Sequence, residues 1–448
     1  MFDQSFSAEN FRKIFDYENR KGNYLEGDFF PEVEKVTKEI KDVSVAIRQH
    51  RKTKSKISIE SYEKKKEELY KKKIDLKEKK ENLLYKELEK IASSITEKNF
   101  LLELKEIDIG KTKNAYGYEK NASSYFALKQ IQNNLRKLYK VKQANRHNIV
   151  CQLREALSDK LPKHIIRTDI SNFYESIPRD RLLKKLNDDP LLTLTSKKII
   201  RRILYEYEQV SGGKLGLPRG VGISAYLSEF YLRKFDEKIL QCPQVLYYAR
   251  YVDDIIIVCT ADPSISIHRK LAFVKKNLND IGLTLNKEKT FKKIINAQEQ
   301  KSIDYLGYNF TFGNGSVKIK LTKSKIQKYK KKIELSFKDY SKTARHNKNK
   351  AKSLLLKRIR FLTGNTRLVN NKKNAVVGIY FSSCLINDTS CLSGLDHCLN
   401  HKISSIKDEK LKSTLSELSF KKGFEEKRFF KFSANDFKNI VKAWKYAA

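Results

Sequence analysis

Hydrophobic and polar residues change their spacing sharply along this chain. From about Val33 to Phe100 a thin apolar stripe runs through dense Lys and Glu, and no glycine occurs between Gly27 and Gly110. This pattern predicts one or two long charged helices with a break near residues 52–58. The stripe fits two interpretations equally well: a solvated helical hairpin, or a coiled-coil arm that binds RNA or another subunit.

The middle of the chain, from Gly110 to about Lys320, combines short apolar strand-like runs with turns and helices. Such a mixture is typical of an α+β catalytic body. After Lys320 the sequence is mostly basic and amphipathic and has no proline, which predicts an appended helical domain. Four segments are therefore expected: an N-terminal segment at 1–32, a charged helical arm at 33–110, a catalytic body at 111–320 and a helical domain at 321–448.

Two acidic motifs in the middle of the chain are the strongest candidates for chemistry. Asp253 and Asp254 lie between strand-forming runs in YYARYVDDIIIVCT, which places them at a hairpin tip. Asp169 ends an apolar run containing Ile165 and Ile166, and a helical turn is expected after it. An isolated Asp-Asp pair is most often a solvated turn. Here buried strands would hold the acids rigidly, so that only cations relieve their repulsion.

Three converging carboxylates offer oxygen ligands, which favour Mg²⁺. Two such ions about 3.5–4 Å apart can activate a 3′ hydroxyl and stabilise the leaving pyrophosphate oxygen. Between the acidic motifs, Gly216, Gly220 and Gly222 form a glycine-dense loop where backbone can approach a base or a phosphate. The residues therefore predict a nucleotidyl transferase centre.

In order and spacing these motifs resemble the palm of reverse transcriptases, and the resemblance spans about residues 146–310. Motif A corresponds to 169–177, motif B to 217–220 and motif C to 251–254, while GLTLNKEKT at 282–290 is similar to motif D and DYLGYNF at 304–310 to the motif E primer grip. The resemblance implies a right-hand polymerase fold of the α+β class. Fingers and a palm with an antiparallel sheet would occupy 111–320, and a helical thumb and C-terminal extension 321–448, with the arm as a helical or coiled-coil insertion.

The resemblance also implies a metal site. Asp169 and Asp253 would bind two Mg²⁺ ions directly, with Asp254 in support, and the carbonyl of Ile170 would add a backbone ligand. Tyr174 falls where the family places a bulky ring against the sugar 2′ position, which excludes a ribose hydroxyl and selects dNTPs. The alternative interpretation of Tyr174 is a core aromatic residue.

Other substrate contacts implied by the resemblance depart in part from the family pattern. Arg219, beside Gly220, stands where the family usually has glutamine, and it would contact the incoming nucleotide or the template backbone. Lys289 would protonate the pyrophosphate, with Lys287 a near-equal candidate. Arg146 resembles a fingers residue that binds the triphosphate.

Composition narrows the class of partner. The 448 residues carry 93 Lys and Arg against 53 Asp and Glu, a net charge of +40, which makes nucleic acid the default partner. No apolar run approaches the ~18 residues that a membrane helix needs, and the N-terminus has no apolar signal core, so a cytoplasmic location is expected. Cys384, Cys391 and Cys398 recur every seven residues near His397 and His401, a spacing that favours packing on a helix over a metal site.

Three features point to a subclass within the family. The long N-terminal helices, the Arg219 loop and the C-terminal extension are similar to bacterial defence-associated and abortive-infection reverse transcriptases. The opening FDQSFSAENFRKIFDYENRKG resembles the smaller enzyme of the type 3 system. This resemblance implies antiphage defence, a dedicated non-coding RNA as template and scaffold, a DNA product, and a second reverse transcriptase as partner; a homo-oligomer also fits.

Two functions from other classes stay open at this point. One is an RNA-dependent RNA polymerase of viral type, against which the ring of Tyr174 argues. The other is a catalytically inactive palm that serves as an RNA-binding scaffold, against which the presence of all three acids argues.

Overall fold

The computed structural model describes residues 2–52, 58–108, 114–141, 144–295, 299–313, 315–368 and 375–444. The helices are α1 (Ala8–Arg20), α2 (Leu25–Phe29), α3 (Pro31–Arg51), α4 (Ile59–Thr96), α5 (Ala122–Leu138), α6 (Arg146–Ala156), α7 (Phe173–Ser176), α8 (Arg179–Asp188), α9 (Leu194–Ser211), α10 (Ile223–Leu240), α11 (Ile267–Asp280), α12 (Lys323–Ala344), α13 (Lys348–Thr363), α14 (Ser390–Ser404), α15 (Glu409–Ser416), α16 (Phe420–Glu425) and α17 (Ala434–Lys442). The strands are β1 (Leu104–Ile107), β2 (Ala115–Tyr118), β3 (Lys163–Asp169), β4 (Val245–Tyr251), β5 (Asp254–Thr260), β6 (Phe291–Ile295), β7 (Lys301–Tyr305), β8 (Tyr308–Gly313), β9 (Ser316–Leu321), β10 (Asn365–Arg367) and β11 (Val376–Gly378). Helices and antiparallel strands confirm the α+β class.

The chain forms two compact units, one of residues 1–143 with 172–234 and one of residues 144–171 with 235–448. This grouping differs from four consecutive segments. The arm helices join the N-terminal residues because α1 packs on α4. The C-terminal helices share one hydrophobic core with the sheets of the second unit. The expected boundary at Gly110 lies outside the described residues, and the four functional segments stay a prediction.

In the first unit, the predicted charged arm consists of α3 and α4. The two helices pack along each other through a thin seam that includes Val36, Val43, Ile47 and Leu76. They end and begin on either side of the predicted break, at Arg51 and Ile59, which confirms the helical interpretation. The later part of α4 is anchored by contacts with α1 and α5. The arm is therefore docked along part of its length.

The second unit is built on a four-stranded antiparallel sheet in the order β4-β5-β3-β6. The central strands β3 and β5 are buried along most of their length. Their apolar side chains, which include Ile165, Ile256 and Val258, belong to the same core as the three-stranded sheet β7-β8-β9. Because a central strand is held on both edges, residues at its end have little freedom to move.

The C-terminal region is mostly helical, as expected, with one addition. Helices α12 to α17 are present, but β10 and β11 form a short antiparallel hairpin between them. Buried Asn365 explains its position, since its side chain donates to the carbonyls of Gly423 and Arg428 and accepts from the amide of Tyr380. Thr366 and the valines of β11 favour strands. In the described part of the chain, no helix combines the length and apolarity needed to cross a membrane.

Candidate functional site

The candidate site starts from the pairing of two acidic strand ends in the second unit. Strand β3 ends at Asp169 and β5 begins at Asp254, and the register places these residues directly opposite each other. Directly opposed residues have Cβ atoms about 4.5–5.5 Å apart, so like charges there repel strongly. Asp169 is 9% exposed, which leaves little water to screen that repulsion. The sheet therefore concentrates negative charge at one point.

Asp253 joins this pair through a tight turn. Tyr251 of β4 pairs with Asp254 of β5, so Val252 and Asp253 are the two turn residues. Val252 has a φ of 62°, in the left-handed region that a β-branched residue rarely adopts. Such a conformation costs on the order of 1–3 kcal/mol and persists only where the surrounding structure enforces it. The two strands enforce it here, and the predicted hairpin tip is confirmed.

Backbone hydrogen bonds fix the segment that follows Asp169. The Ile170 amide donates to the Asp253 carbonyl at 3.1 Å, and the Ser171 amide donates to the Thr284 carbonyl at 2.9 Å. The Asn286 amide donates to the Asp169 carbonyl at 2.7 Å. The stretches predicted as motifs A, C and D thus meet at one place. Ile170 lies beside the acids, and metal binding by its carbonyl stays a prediction.

Two cations neutralise the opposed carboxylates. Arg167 donates from Nε and Nη2 to the carboxylate of Asp254 at 3.2 and 3.3 Å. The Nζ of Lys289 lies 2.7 Å from an oxygen of Asp169. This ion pair favours Lys289 over the alternative, Lys287, as the lysine of the site. The proposed role of Lys289 as a proton donor stays a prediction.

The pKa values reflect this crowding of charge. Burial raises the pKa of Asp254, Arg167 opposes that rise, and the charges of Asp169 and Asp253 add to it. The hydrogen bond to Asp169 raises the pKa of Lys289, which keeps its ammonium protonated at neutral pH. A dication placed among these oxygens would relieve the same repulsion more strongly.

A hairpin in the segment predicted as motif E contacts both Asp254 and its counter-ion Arg167. The turn Leu306–Gly307 joins β7 to β8, and both residues have positive φ, 47° and 75°, as in the primed turns typical of hairpins. Buried Tyr305 donates its hydroxyl to the Asp254 carbonyl at 3.0 Å. Arg167 donates to the Asp304 carbonyl at 2.6 Å. The hairpin therefore fixes both the backbone of Asp254 and its counter-ion.

The donor set fits Mg²⁺, although it is not a closed cage. Among the described residues, no three His, Cys, Asp or Glu side chains form a ready-made metal cluster. Mg²⁺ is usually bound through one or two carboxylates together with water and substrate phosphates, so a protein-only cage is not required. The residues that would hold it are Asp169 and Asp253, with Asp254 adjacent.

The heptad cysteines likewise form no cluster in the described ranges. Cys384 Sγ lies 3.7 Å from Nδ1 of His147, and Cys391 Sγ lies 3.9 Å from the Asp388 carbonyl. Cys391 packs partly against the core of the second unit. Cys384 precedes α14, so the three cysteines do not share one helix as their spacing suggested. A packing role for all three stays a prediction.

The predicted nucleotide-binding residues Tyr174, Arg219 and Gly220 come together in the first unit. The Leu217 amide donates to the Tyr174 carbonyl at 2.7 Å. The guanidinium of Arg219 lies 5.6 Å from the centre of the Tyr174 ring and pairs with Glu175 at 2.8 Å. The partly exposed ring of Tyr174 is thus stacked against a cation.

Gly220 is required by its surroundings. Its φ is +98°, and a Cβ there would lie 2.6 Å from the carbonyl oxygen of Tyr116. The Tyr116 amide in turn donates to the Arg219 carbonyl at 2.7 Å, which ties the loop to β2. A side chain at Gly220 would collide with the Tyr116 carbonyl, so the glycine allows the loop to lie against β2.

Arg146 has a different environment from the one that the resemblance suggested. Its guanidinium donates to the Leu306 carbonyl at 2.9 Å from Nε and lies 5.1 Å from the centre of the Tyr308 ring. Gly307 permits this approach, since a Cβ there would lie 3.0 Å from the guanidinium. Arg146 braces the β7–β8 turn, and triphosphate binding by it stays a prediction.

With this geometry established, comparison with known proteins identifies the family. The sequence profile of reverse transcriptases (RNA-dependent DNA polymerases) matches residues 82–310, slightly more than half of the 448 residues. The chain belongs to the reverse transcriptase family. A search of curated proteins gave no significant match.

Solved structures similar to this member of the family include three telomerases. Apo telomerase from Candida tropicalis truncated from its C-terminal domain matches at 14% identity and a TM-score of 0.37, covering 49% of this chain and 55% of that one. Telomerase from Candida albicans in complex with the TWJ fragment of telomeric RNA matches at 14% identity and 0.36, covering 79% and 63%. Apo telomerase from Candida tropicalis matches at 15% identity and 0.37, covering 72% and 54%. The chain thus spans less than two thirds of each telomerase.

Sequence reasoning missed Arg167 and Tyr305. Arg167 precedes Asp169 by two positions, and residues i and i+2 of a strand lie on the same face, so the pattern contained this signal. The sequence contained no such signal for Tyr305, because its contact with Asp254 depends on how two hairpins pack. Both residues hold Asp254, Arg167 through its carboxylate and Tyr305 through its backbone carbonyl.

We expect Arg167→Met to lower nucleotide incorporation on a primed template about tenfold at pH 7. Arg167 lowers the pKa of Asp254, so its removal raises that pKa, and the activity that needs the ionised carboxylate then declines at a higher pH than in wild type. Arg167→Lys keeps the charge and should move the acid limb of the pH–rate profile less. An unchanged profile for a folded Arg167→Met protein would contradict this role.

Proposed function

We propose that this protein is an RNA-directed DNA polymerase that joins dNTPs by two-metal nucleotidyl transfer. The observation that supports it most directly is the placement of Asp169 opposite Asp254 with Asp253 in the adjoining turn, in a chain of the reverse transcriptase family. When bound, two Mg²⁺ ions supply charge for the attacking hydroxyl and the leaving pyrophosphate. The protein residues hold the ligand oxygens at fixed positions, and Lys289 holds a proton beside Asp169.

Electrostatics around the acids support a nucleic-acid substrate. A cavity of about 720 Å³ in the second unit is lined by Arg167 and Lys289 and also by Lys293, Lys320 and Lys323. The lining also holds Asn309 and the carboxylates of Glu288 and Asp304, so five cations face two acids. A groove lined by several cations attracts a phosphate backbone, and we propose that it takes the primer or product strand.

The decisive experiment offers labelled dNTPs or rNTPs with Mg²⁺ to the purified protein on primed RNA. We expect DNA synthesis by wild type and losses of roughly 10³-fold or more for Asp169→Asn and Asp253→Asn, since each removes a ligand of the metal pair. Asp262→Asn, in a turn of the same unit, is the matched control and should stay active. Circular dichroism and thermal unfolding check that the variants fold.

The same assay separates the other classes. Incorporation of rNTPs in preference to dNTPs would indicate an RNA polymerase. RNA binding without incorporation of either would indicate an inactive scaffold. Substantial synthesis by a folded Asp253→Asn protein would overturn the two-metal assignment.

The ring of Tyr174 supports selection of deoxynucleotides. We expect Tyr174→Ala to keep polymerase activity but to admit rNTPs, with discrimination reduced by about 1–3 kcal/mol, because a steric wall is removed. Tyr174→Phe keeps the ring and should discriminate as wild type does. Steady-state incorporation of matched dNTP and rNTP pairs measures the ratio, and an unchanged ratio in Tyr174→Ala would place the selecting residue elsewhere.

We further propose that the protein acts in the bacterial cytoplasm in antiphage defence, with a dedicated non-coding RNA and a second reverse transcriptase as partners. The similarity of the N-terminal helices, the Arg219 loop and the opening sequence to defence-associated enzymes supports this proposal. A right-hand division into fingers, palm and thumb belongs to the same proposal. Loss of phage resistance in cells that carry Asp253→Asn would support it, and full resistance in those cells would contradict it.

The arm supports a role in RNA capture. The first part of α4 carries Lys64, Lys65, Lys71 and Lys72, all exposed to solvent. We expect replacement of these lysines together with Lys66 and Lys73 by Gln to weaken RNA binding. The slope of log affinity against log salt should flatten by roughly 0.7 to 0.9 for each phosphate that the arm no longer neutralises. Activity on a short primed homopolymer should survive.

Replacement of the same six lysines by Arg is the matched control, because it keeps the charge and should keep the affinity. Filter binding across a salt series gives affinity and slope, and light scattering gives the oligomeric mass. If the Gln variant matches wild type in all three, the arm is only a solvated hairpin.

A further inference from the structure

A second basic cavity lies entirely within the first unit and uses none of the carboxylates described above. It has a volume of about 330 Å³ and is formed by α1 with the residues on either side of it, by α5, and by Tyr226 of α10. This volume is at the lower end of the range of small-molecule sites. Its lining includes the basic residues Lys13, Lys21, Lys129, Arg136 and Lys137.

Three of these five cations form no salt bridge in the described part of the chain, so their charge is available to an anion. Buried Glu18 pairs with Lys21 at 3.3 Å and with Lys129 at 3.2 Å. In the described part of the chain, by contrast, Lys13, Arg136 and Lys137 form no salt bridge with a carboxylate. Their hydrogen-bond partners include neutral amides: Lys13 donates to Asn10 at 3.2 Å and Arg136 to Asn133 at 3.0 Å. The lining also holds Asp3, whose pKa is lowered chiefly by hydrogen bonds from Ser5 and further by the charge of Lys13. Five cations thus face two carboxylates, Asp3 and Glu18, and the cavity carries a positive excess.

Aromatic rings lie among these cations. The Tyr17 ring is 46% exposed, and it has the Lys21 ammonium 3.7 Å and the Arg136 guanidinium 5.9 Å from its centre. The Lys137 ammonium lies 4.6 Å from the centre of the Phe2 ring. Hydrogen bonds from Lys21 and Arg136 lower the pKa of Tyr17, in agreement with a positive potential here. An exposed ring beside cations is the arrangement on which bases stack while phosphates are neutralised.

We propose that this cavity binds a phosphate-bearing nucleotide, with Lys13, Arg136 and Lys137 on the phosphate and Tyr17 stacked on the base. The ligand is either a free nucleoside triphosphate or the phosphorylated end of a single strand, which share this chemistry. An acidic peptide would pair with the cations but would leave the exposed Tyr17 ring without a stacking partner. The site is additional to the proposed polymerase function and does not require it.

The test measures binding of four probes by calorimetry: ATP, the 5′-phosphorylated tetranucleotide pTTTT, TTTT with a 5′ hydroxyl, and tetraglutamate. It uses full-length protein carrying Asp253→Asn, in EDTA, so that metal-dependent binding at the acids does not contribute. We expect ATP or pTTTT to bind, and Lys13→Gln/Arg136→Gln/Lys137→Gln to weaken that binding at least tenfold. These side chains are exposed, so the variant should fold. Lys407→Gln/Lys410→Gln/Lys421→Gln removes equal charge from exposed positions elsewhere and should bind as the parent does.

Substitutions of Tyr17 test whether the ligand stacks on the ring, which a nucleotide does and a simple anion does not. Tyr17→Phe should keep the affinity, whereas Tyr17→Leu should lower it about fivefold or more. Preference for ATP identifies a free nucleotide as the source, and preference for pTTTT over TTTT identifies a strand end. Tetraglutamate binding as tightly as pTTTT, or equal affinity in the parent and the triple variant, would overturn the proposal. Neither result bears on polymerase activity, which is assayed separately on the protein with an intact Asp253.

Discussion

Repulsion between Asp169 and Asp254 is the constraint on which the second unit depends. Two carboxylates directly opposite each other on neighbouring strands, largely buried, are unfavourable unless cations stand close by. Arg167 and Lys289 provide such cations, one from the same face of β3 and the other from the segment after α11. Tyr305 fixes the backbone of Asp254 and so prevents the acids from moving apart. The arrangement retains a high density of negative charge that a dication can relieve.

The turn at Val252 belongs to the same constraint. A hairpin of this length normally has glycine or asparagine where φ is positive, yet this one has a β-branched residue. The strain is tolerated because β4 and β5 are paired at six positions and the Ile170 amide holds the Asp253 carbonyl. Local sequence preference and tertiary structure disagree here, and such disagreement is concentrated at functional sites.

The sequence pattern predicted the strands that carry the acids, but it did not predict which other side chains contact those acids. The buried run before Asp169 and the alternation around Asp253 predict strands that end or turn at these residues, and both are present. Lys289 could be ranked against Lys287 only in three dimensions, because it reaches Asp169 across 120 positions of sequence. Likewise the partner of Arg146 is the carbonyl of Leu306, 160 positions away. Neither contact has a local signature.

The division into units shows the same limit. The composition suggested consecutive segments, since the arm and the C-terminal helices differ from the middle of the chain in how apolar and charged residues are spaced. In the described structure, residues 172–234 instead belong to the first unit with 1–143. The elements that share a core are those that bury their apolar faces together, and local composition does not determine which they are. Asp169 and Tyr174, five positions apart, consequently belong to different units.

The distribution of charge gives the net excess of +40 a physical meaning. Cations beside Asp169 and Asp254 are compensated within the protein and add little to its long-range field. Several lysines of α4 pair with glutamates of the same helix. By contrast, Lys13, Arg136 and Lys137 on α1 and α5 form no salt bridge within the described ranges and lie on exposed surface of the first unit. Exposed uncompensated charge attracts polyanions over distances near the Debye length, about 8–10 Å at physiological ionic strength. The exposed cations of the first unit therefore contribute more to the long-range positive potential than the cations that are paired with Asp169 and Asp254.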